Sequence, residues 1–372
     1  MKKKIIFCSD NFGIGGIQRV NTVIGQQLSM KYKVSYLSLS GKDDGFDIGQ
    51  QLIIHKQSLK EKVLNFPFHV KSAFYWHFFN RDLNYDFWSN YNSPNYYKTL
   101  YEYDTVILSG SCILFASKIK KVYPLKNVII WIHNSHDIYF NRYFKNSKKE
   151  LIDNLRAANK VVVLTDQDKE DFLNYSKKVV KINNPLTISN EMLNFDISSK
   201  IISVTCRLVI EQKGLDYLVE ISKNLPNDWK ISIAGTGSNL EVKKLKKLIK
   251  TSGVEEKIIL RGELEGQELV EHYLNSSIYV MTSRWEGFGL VLLEAMSFGL
   301  PIISFDNVGA REVLSNGAFG VLVEQGNIKK FSDKLLDLIN DKNSRQMYSH
   351  LSDERVKDFS IHEIIKFWEE II

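Results

Sequence analysis

Short apolar, β-branched runs alternate with helix-patterned segments along the whole chain, and the series starts afresh once. Lys4–Ser9 is a compact apolar run that ends in the Gly-rich turn Gly13-Ile14-Gly15-Gly16. Helical spacing follows over Ile17–Leu28, and Val34–Leu39 reads as a second strand. Thr105–Ser109, Asn127–Ile132 and Lys160–Thr165 have the near-continuous apolar character of strands buried on both faces. After Asn184-Pro185 the pattern restarts, with strands at Ile201–Thr205, Lys230–Ala234, Lys257–Arg261, Ile278–Thr282, Pro301–Phe305 and Gly320–Val323. Helical segments such as Leu215–Asn224, Leu240–Thr251 and Val291–Phe298 lie among them. Two consecutive βαβα series predict an α/β protein of two doubly wound, Rossmann-like domains. Such sheets bind ligands beyond the carboxyl ends of their strands, so the expected site is an interdomain cleft. The reading divides the chain into a first domain over 1–185, a linker over 186–199 and a second domain over 200–355. A closing segment, 356–372, is amphipathic over Ile361–Ile372, carries Trp368 and can cross back to the first domain.

A chain of 372 residues with 44% apolar and 25% charged residues suits such a pair of soluble domains. Its three cysteines, Cys8, Cys112 and Cys206, are too few and scattered for a disulfide framework or a zinc site, which points to a reducing, cytoplasmic setting. Asp10 and Asn11 break the first apolar run too early for a signal peptide. No apolar run reaches the ~18 residues of a membrane span. Charge is uneven: residues 1–185 hold 27 Lys/Arg against 16 Asp/Glu, and the remainder 22 against 27. A basic first half suits an anionic membrane surface or a phosphate-bearing lipid, unless its lysines only solvate the surface. No nucleic-acid motif is present, and nucleic acid is set aside. Residues 66–103 are dense in Phe, Tyr and Trp. They read as an insertion that meets acceptor or membrane, or whose rings pack on the core.

One segment carries most of the chemistry: Ser283-Arg284-Trp285-Glu286-Gly287-Phe288-Gly289-Leu290-Val291-Leu292-Leu293-Glu294. A Gly-Phe-Gly turn opening a helix offers unpaired backbone N–H groups to a phosphate. Glu286 and Glu294 flank it. At ~1.5 Å rise per residue they stand roughly 12 Å apart, enough to touch both ends of a nucleotide-sugar. Carboxylates accept hydrogen bonds from sugar hydroxyls.

With these residues the chain resembles the retaining glycosyltransferases of family 4, which have the GT-B architecture. Four motifs occur in the family's order: Gly15-Gly16-Ile17-Gln18-Arg19-Val20; Thr205-Cys206-Arg207-Leu208-Val209 with Gln212-Lys213-Gly214-Leu215; Ile233-Ala234-Gly235-Thr236-Gly237; and Glu286 to Glu294, followed by Gly299-Leu300-Pro301-Ile302-Ile303. The likeness is specific in the second half and thin over 40–125. It implies a nucleotide-diphosphate sugar as donor and neither cofactor nor metal.

The resemblance implies a role for each matching residue. Arg207 and Lys213 would offset charge growing on the leaving diphosphate, a metal's task elsewhere. Glu286 would accept from hexose hydroxyls. Gly287, Phe288, Gly289 and Leu290 would turn backbone N–H groups to hexose and phosphates, and Glu294 would hold the ribose. The base would lie against Gly235-Thr236-Gly237 and Arg261-Gly262-Glu263-Leu264. Gly15 and Gly16 would let the first domain's turn approach the donor phosphate or the acceptor; Gln18 stands where the dinucleotide fingerprint needs a glycine. In Trp131-Ile132-His133-Asn134-Ser135-His136-Asp137, His133 is the better match to a histidine near the transferred sugar, and His136 is the alternative. The family's reaction is written as front-face attack, with the leaving phosphate taking the acceptor's proton.

Two other motifs have simpler readings. Asp166-Gln167-Asp168 is a DxD, but it opens a helix after a strand, where capping and the helix dipole suffice. Lys243-Lys244-Leu245-Lys246-Lys247 has the spacing of an amphipathic helix's wet face.

The sequence thus predicts a metal-independent hexosyltransferase, peripheral at the inner face of the membrane. It would favour a UDP-hexose (Gal, Glc or GlcNAc), with GDP-mannose left open, and a lipid-linked saccharide or other glycan acceptor in capsule, exopolysaccharide or cell-wall polymer synthesis. Two alternatives are a nucleotide-sugar epimerase of the same architecture and a silent sugar-nucleotide or glycan-binding subunit. The aromatic insertion weighs against the first, and intact Arg207, Lys213, Glu286 and Glu294 against the second.

Overall fold

The computed structural model describes residues 2–13, 15–39, 45–55, 63, 66, 67, 70, 94–188 and 196–372. The chain forms two compact units, Met1–Pro185 with Ile361–Ile372, and Leu186–Ser360.

The first unit is built on strands β1 (Lys4–Ser9), β2 (Lys33–Ser38), β3 (Leu52–Ile54), β4 (Thr105–Leu108), β5 (Asn127–Trp131), β6 (Lys160–Val163) and β7 (Val179–Lys181). They form one seven-stranded sheet in the order β3-β2-β1-β4-β5-β6-β7. Every pair is parallel. The strand interiors, such as Ile5–Cys8, Val106–Leu108 and Val128–Trp131, have no exposed surface, as the continuous apolar runs require.

The second unit repeats the plan with β8 (Ile201–Thr205), β9 (Lys230–Ala234), β10 (Ile258–Gly262), β11 (Ile278–Met281), β12 (Ile302–Phe305) and β13 (Val321–Val323). Its six strands lie in the order β10-β9-β8-β11-β12-β13, again all parallel. Strand order reverses between β1 and β4 in one sheet and between β8 and β11 in the other. Doubly wound sheets open their ligand crevice at that reversal.

Two sequence expectations need correction, and two strands go beyond them. Residues 356–360 stay with the second unit, and only the stretch from Ile361 joins the first. The linker reading fails at both ends of 186–199. Leu186 N–H donates to the Phe359 carbonyl, and Asp196 N–H donates to the Leu274 carbonyl, both within the second unit. Residues 189–195 lie outside the described residues. The edge strands β3 and β7 were not expected at all.

Of the aromatic stretch, residues 68, 69 and 71–93 lie outside the described residues. In the described part, Tyr96 and Tyr97 are core residues, with the Tyr96 ring 4.8 Å from that of Phe115. For these two the packing reading holds. The lysines of 243–247 line the wet face of the helix Asn239–Thr251, whose Leu245 and Ile249 are buried.

The closing helix Ile361–Ile371 turns Ile364, Ile365 and Trp368 inward. Trp368 is fully buried, edge-on to Trp131 of β5 with ring centroids 4.5 Å apart. Lys31 pairs with Glu369 on the outer side. Trp368→Ala is expected to destabilise the first unit by about 3–5 kcal/mol, the usual cost of deleting a buried large ring. A urea unfolding curve checks this, and a change below about 1 kcal/mol would show the helix to be dispensable.

Candidate active site

In the second unit, the loops after β8 and β11 are stitched together at the strand-order reversal. Thr282 Oγ1 donates to the Lys213 carbonyl at 2.9 Å, and Arg284 N–H to the Gln212 carbonyl at 2.8 Å. Gly214 sits at φ +59°, and a Cβ there would lie 2.1 Å from the Thr282 carbonyl oxygen, so this junction accepts no side chain. Arg284 adds a clamp that the sequence reading missed. Its guanidinium makes a forked pair with Asp216 (2.8 and 2.6 Å) and lies 3.8 Å from the centre of the Tyr217 ring. Arg284 stands inside the conspicuous motif, but its partners lie 68 and 67 positions earlier and no local spacing announces them.

The junction brings Lys213 and Glu286 into contact. Lys213 Nζ lies 2.6 Å from Glu286 Oε1, and both side chains are nearly buried, at 11% and 12% exposure. Ser283 Oγ donates to the same oxygen at 2.6 Å. The separate stations expected for these two residues, diphosphate and hexose, thus begin from one ion pair. Arg207 is exposed after β8. Burial pushes the thiol of Cys206, its neighbour in the chain, up to about 11.

Beyond Glu286, the Gly287-Phe288-Gly289 turn is fixed by its side chain, leaving its backbone for a ligand. Phe288 is buried, 5.8 Å from the Phe359 ring. Gly309 packs under it so closely that a Cβ would sit 2.7 Å from the Phe288 carbonyl carbon. Gly289, at φ +86°, caps the helix Leu290–Ser297, whose first N–H groups have no partner within the helix. Glu294 is buried on that helix. Tyr273 Oη donates to its Oε2 at 3.1 Å and Thr187 Oγ1 to its Oε1 at 3.3 Å. Neither partner was anticipated. Tyr279 of β11 ties the end of β8 into this site, accepting from the Thr205 N–H and donating to its carbonyl.

Gly235, Gly237, Arg261, Glu263 and Leu264 also lie at the carboxyl edge. Gly235 N–H donates to the Gly262 carbonyl, which joins the ends of β9 and β10. Gly235 stands at φ +138°, and its Cβ would fall 1.8 Å from the Cys206 carbonyl oxygen. Arg261 and Glu263 are exposed and Leu264 is half-buried.

In the first unit, the reversal between β1 and β4 is closed by Asp10, whose Oδ2 accepts from Ser111 N–H at 3.0 Å. Gly15 precedes the helix Gly16–Ser29. His133, just past β5, is buried: its Nε2 is 3.2 Å from Ser109 Oγ and its ring 4.4 Å from that of Trp131. His136 is differently engaged. It stacks on Phe140 and Tyr175 with centroids 4.5 and 5.6 Å away, as a packing residue does. Its backbone N–H donates to Asp168 Oδ1 at 2.8 Å, the Asp168 backbone N–H donates to Thr165 Oγ1, and Thr165 Oγ1 donates to Asp168 Oδ2. Asp166 pairs with Lys181. The DxD carboxylates thus cap and brace local structure, and among the described residues no cluster of three or more metal-type side chains occurs.

Residues 191–354 match the family described as glycosyl transferases group 1. Over its full length the chain is 28% identical to the whole of a Haemophilus influenzae protein named an uncharacterized glycosyltransferase. It is 30% identical, over 64% of this chain and 49% of the other, to a Staphylococcus aureus poly(ribitol-phosphate) alpha-N-acetylglucosaminyltransferase. The crystal structure of Anabaena HepE with UDP and glucose superposes at a TM-score of 0.79, covering 99% of this chain and 98% of that one at 16% identity. The architecture is GT-B, and the family match supports a glycosyltransferase.

Burial pushes the His133 imidazole down to about 3 and that of His272 to about 4. An unfolded histidine takes up a proton near pH 6.5, so below that pH the unfolded chain binds more protons than the folded one. The stability from neutral, buried His133 is complete above pH 6.5 and is lost as pH falls toward 3. In His133→Gln the urea midpoint should fall less steeply between pH 7 and 5 than in the parent, with His272 keeping part of the slope. Equal slopes would mean that His133 titrates normally.

Proposed function

We propose that this protein transfers a hexose from a nucleotide-diphosphate sugar, a UDP-hexose carrying Gal, Glc or GlcNAc, to a lipid-linked or other glycan acceptor in surface-polysaccharide synthesis. The transfer proceeds with retention of configuration and without a metal. The observation that carries this reading is the nearly buried Lys213–Glu286 pair beside a backbone-lined turn, with buried Glu294 beyond it, inside the matched residues.

In this reading Arg207 and Lys213 receive the diphosphate. Lys213 passes from Glu286 to the phosphates as the donor binds, which leaves the Glu286 carboxylate to accept from hexose hydroxyls. The N–H groups of Gly287 to Leu290 meet the negative charge that grows on the leaving group, and Glu294 accepts from the ribose. The base lies along Gly235, Gly237, Arg261, Glu263 and Leu264. Gly15, Gly16 and His133 of the first unit serve the transferred sugar and the acceptor. Stabilising the departing diphosphate supplies most of the rate. Two relatives support this choice: one is a poly(ribitol-phosphate) alpha-N-acetylglucosaminyltransferase, and the HepE structure holds UDP and glucose. The excess of basic residues in 1–185 supports peripheral attachment to an anionic, cytoplasmic membrane face. No described helix is long and apolar enough to cross a membrane.

A thermal-shift panel of UDP, GDP and ADP and their hexose conjugates, each with and without EDTA, tests donor and metal together. A UDP-type ligand should raise the melting temperature equally in both conditions, because binding to the folded state stabilises by mass action. A shift abolished by EDTA would end the metal-free reading, and a shift with GDP alone would replace the nucleotide.

Glu286→Ala should lower transfer on the order of 10²–10³-fold while keeping UDP affinity, since the freed Lys213 remains. Lys213→Ala should weaken both. Full activity in Glu286→Ala would remove the hexose from this position.

A further inference from the structure

A chain of side-chain hydrogen bonds behind His133 has a direction, and the direction can be read from its far end. Asn21, buried on the helix Gly16–Ser29, donates through Nδ2 to the Ile17 carbonyl at 2.9 Å. That bond fixes the amide, because a carbonyl cannot face an amide oxygen. Asn21 Oδ1 is therefore the atom turned to Ser109 Oγ, 3.2 Å away. Ser109 has one hydroxyl proton, and Oδ1 can only accept, so the proton points at Asn21. Ser109 Oγ then has only lone pairs for His133 Nε2 at 3.2 Å. For that contact to be a hydrogen bond, Nε2 must carry the hydrogen. The opposite arrangement sets two acceptor oxygens face to face in a buried site, at the cost of unmade hydrogen bonds.

We propose that Asn21, acting through Ser109, holds His133 in its Nε2–H tautomer, which makes Nδ1 a fixed hydrogen-bond acceptor for a hydroxyl of the ligand. Burial keeps the ring neutral, with its titration pushed down to about 3, so this character persists across the physiological range. Among the described residues Nδ1 has no hydrogen-bond partner, and His133 retains 9% of its surface. A hydroxyl or N–H donor meets Nδ1 favourably. An oxyanion meets it lone pair to lone pair, so His133 selects a neutral, hydroxyl-bearing group and not a phosphate. Asn21 and Ser109 are positioning residues in this scheme. That the hydroxyl belongs to a sugar rests on the proposed function; the tautomer does not.

Long-range proton–nitrogen correlation NMR on protein carrying nitrogen-labelled histidine reads the tautomer directly, with His133 assigned by its loss in His133→Gln. The parent protein should show a protonated Nε2 and a bare Nδ1 at pH 7. In Ser109→Ala and Asn21→Ala the two nitrogen shifts should move toward each other as the second tautomer is populated, while the other histidine signals stay in place and report an intact fold. A protonated Nδ1 in the parent overturns the proposal, as does an unchanged Nε2–H pattern in both variants.

In Ser109→Ala the KM for the nucleotide-sugar should rise roughly 3- to 10-fold, the loss of one well-placed hydrogen bond, with UDP affinity unchanged. An altered tautomer with unchanged KM would remove the ligand from Nδ1. Absence of any nucleotide-sugar turnover in the parent would instead sink the proposed function and leave the tautomer assignment standing.

Discussion

Parallel pairing places the carboxyl end of every strand on one edge of its sheet, and the candidate site follows from that constraint. A strand that must be crossed over by a helix cannot end beside its sequence neighbour's start. The loops that leave β8, β9, β10 and β11 therefore converge, although their residues are far apart in the chain. At the point where strand order reverses, the helices that follow β8 and β11 diverge to opposite faces and leave room. Lys213, Glu286 and the Gly287-Phe288-Gly289 turn occupy that room. The glycines that line it, Gly214 and Gly235, stand where neighbouring carbonyls would collide with any side chain.

The Lys213–Glu286 pair is poorly explained by stability. Taking a cation and a carboxylate out of water costs several kcal/mol per ion, and their attraction often only repays it. Apolar residues of similar volume would hold the junction as well. Ser283 adds a hydrogen bond to Glu286 but no partner for a second cation. In the proposed reaction the pair serves as a held reserve: a positive charge kept in place by a carboxylate that lets it go to the diphosphate. Glu294 is a different device. Two hydroxyls already donate to it, which keeps a buried carboxylate satisfied and in place.

Most of the fold can be read from the sequence, because a parallel strand buried on both faces announces itself as a continuous apolar run. The central strands of both sheets were visible for this reason. The edge strands β3 and β7 were not: each is three residues long, and Leu52–Ile54 and the Val180-Lys181 end are only half-buried, so neither carries a pattern. The site was partly readable. The spacing of Glu286 and Glu294 around a glycine turn, and the Arg207 and Lys213 motif, stand out as local strings. What those strings touch does not. Glu286 meets Lys213 across 73 positions, Glu294 meets Thr187 across 107, and His133 is oriented through Ser109 by Asn21, 88 positions before that serine. Such pairings exist only once the sheet has closed. The boundary at 356 was misplaced for a related reason: amphipathic spacing marks a helix but not which core receives it.

The closing helix adds a matter of timing. Trp131 belongs to β5, early in the chain, yet the tryptophan that covers it is Trp368. On a ribosome, which adds about 5–20 residues each second, the whole second unit is synthesised between them. Throughout that interval the first unit carries an uncovered aromatic face on a strand at the heart of its sheet. Its completion depends on a helix made only after the second unit, so a nascent chain stalled in the second unit would present that face to chaperones and proteases.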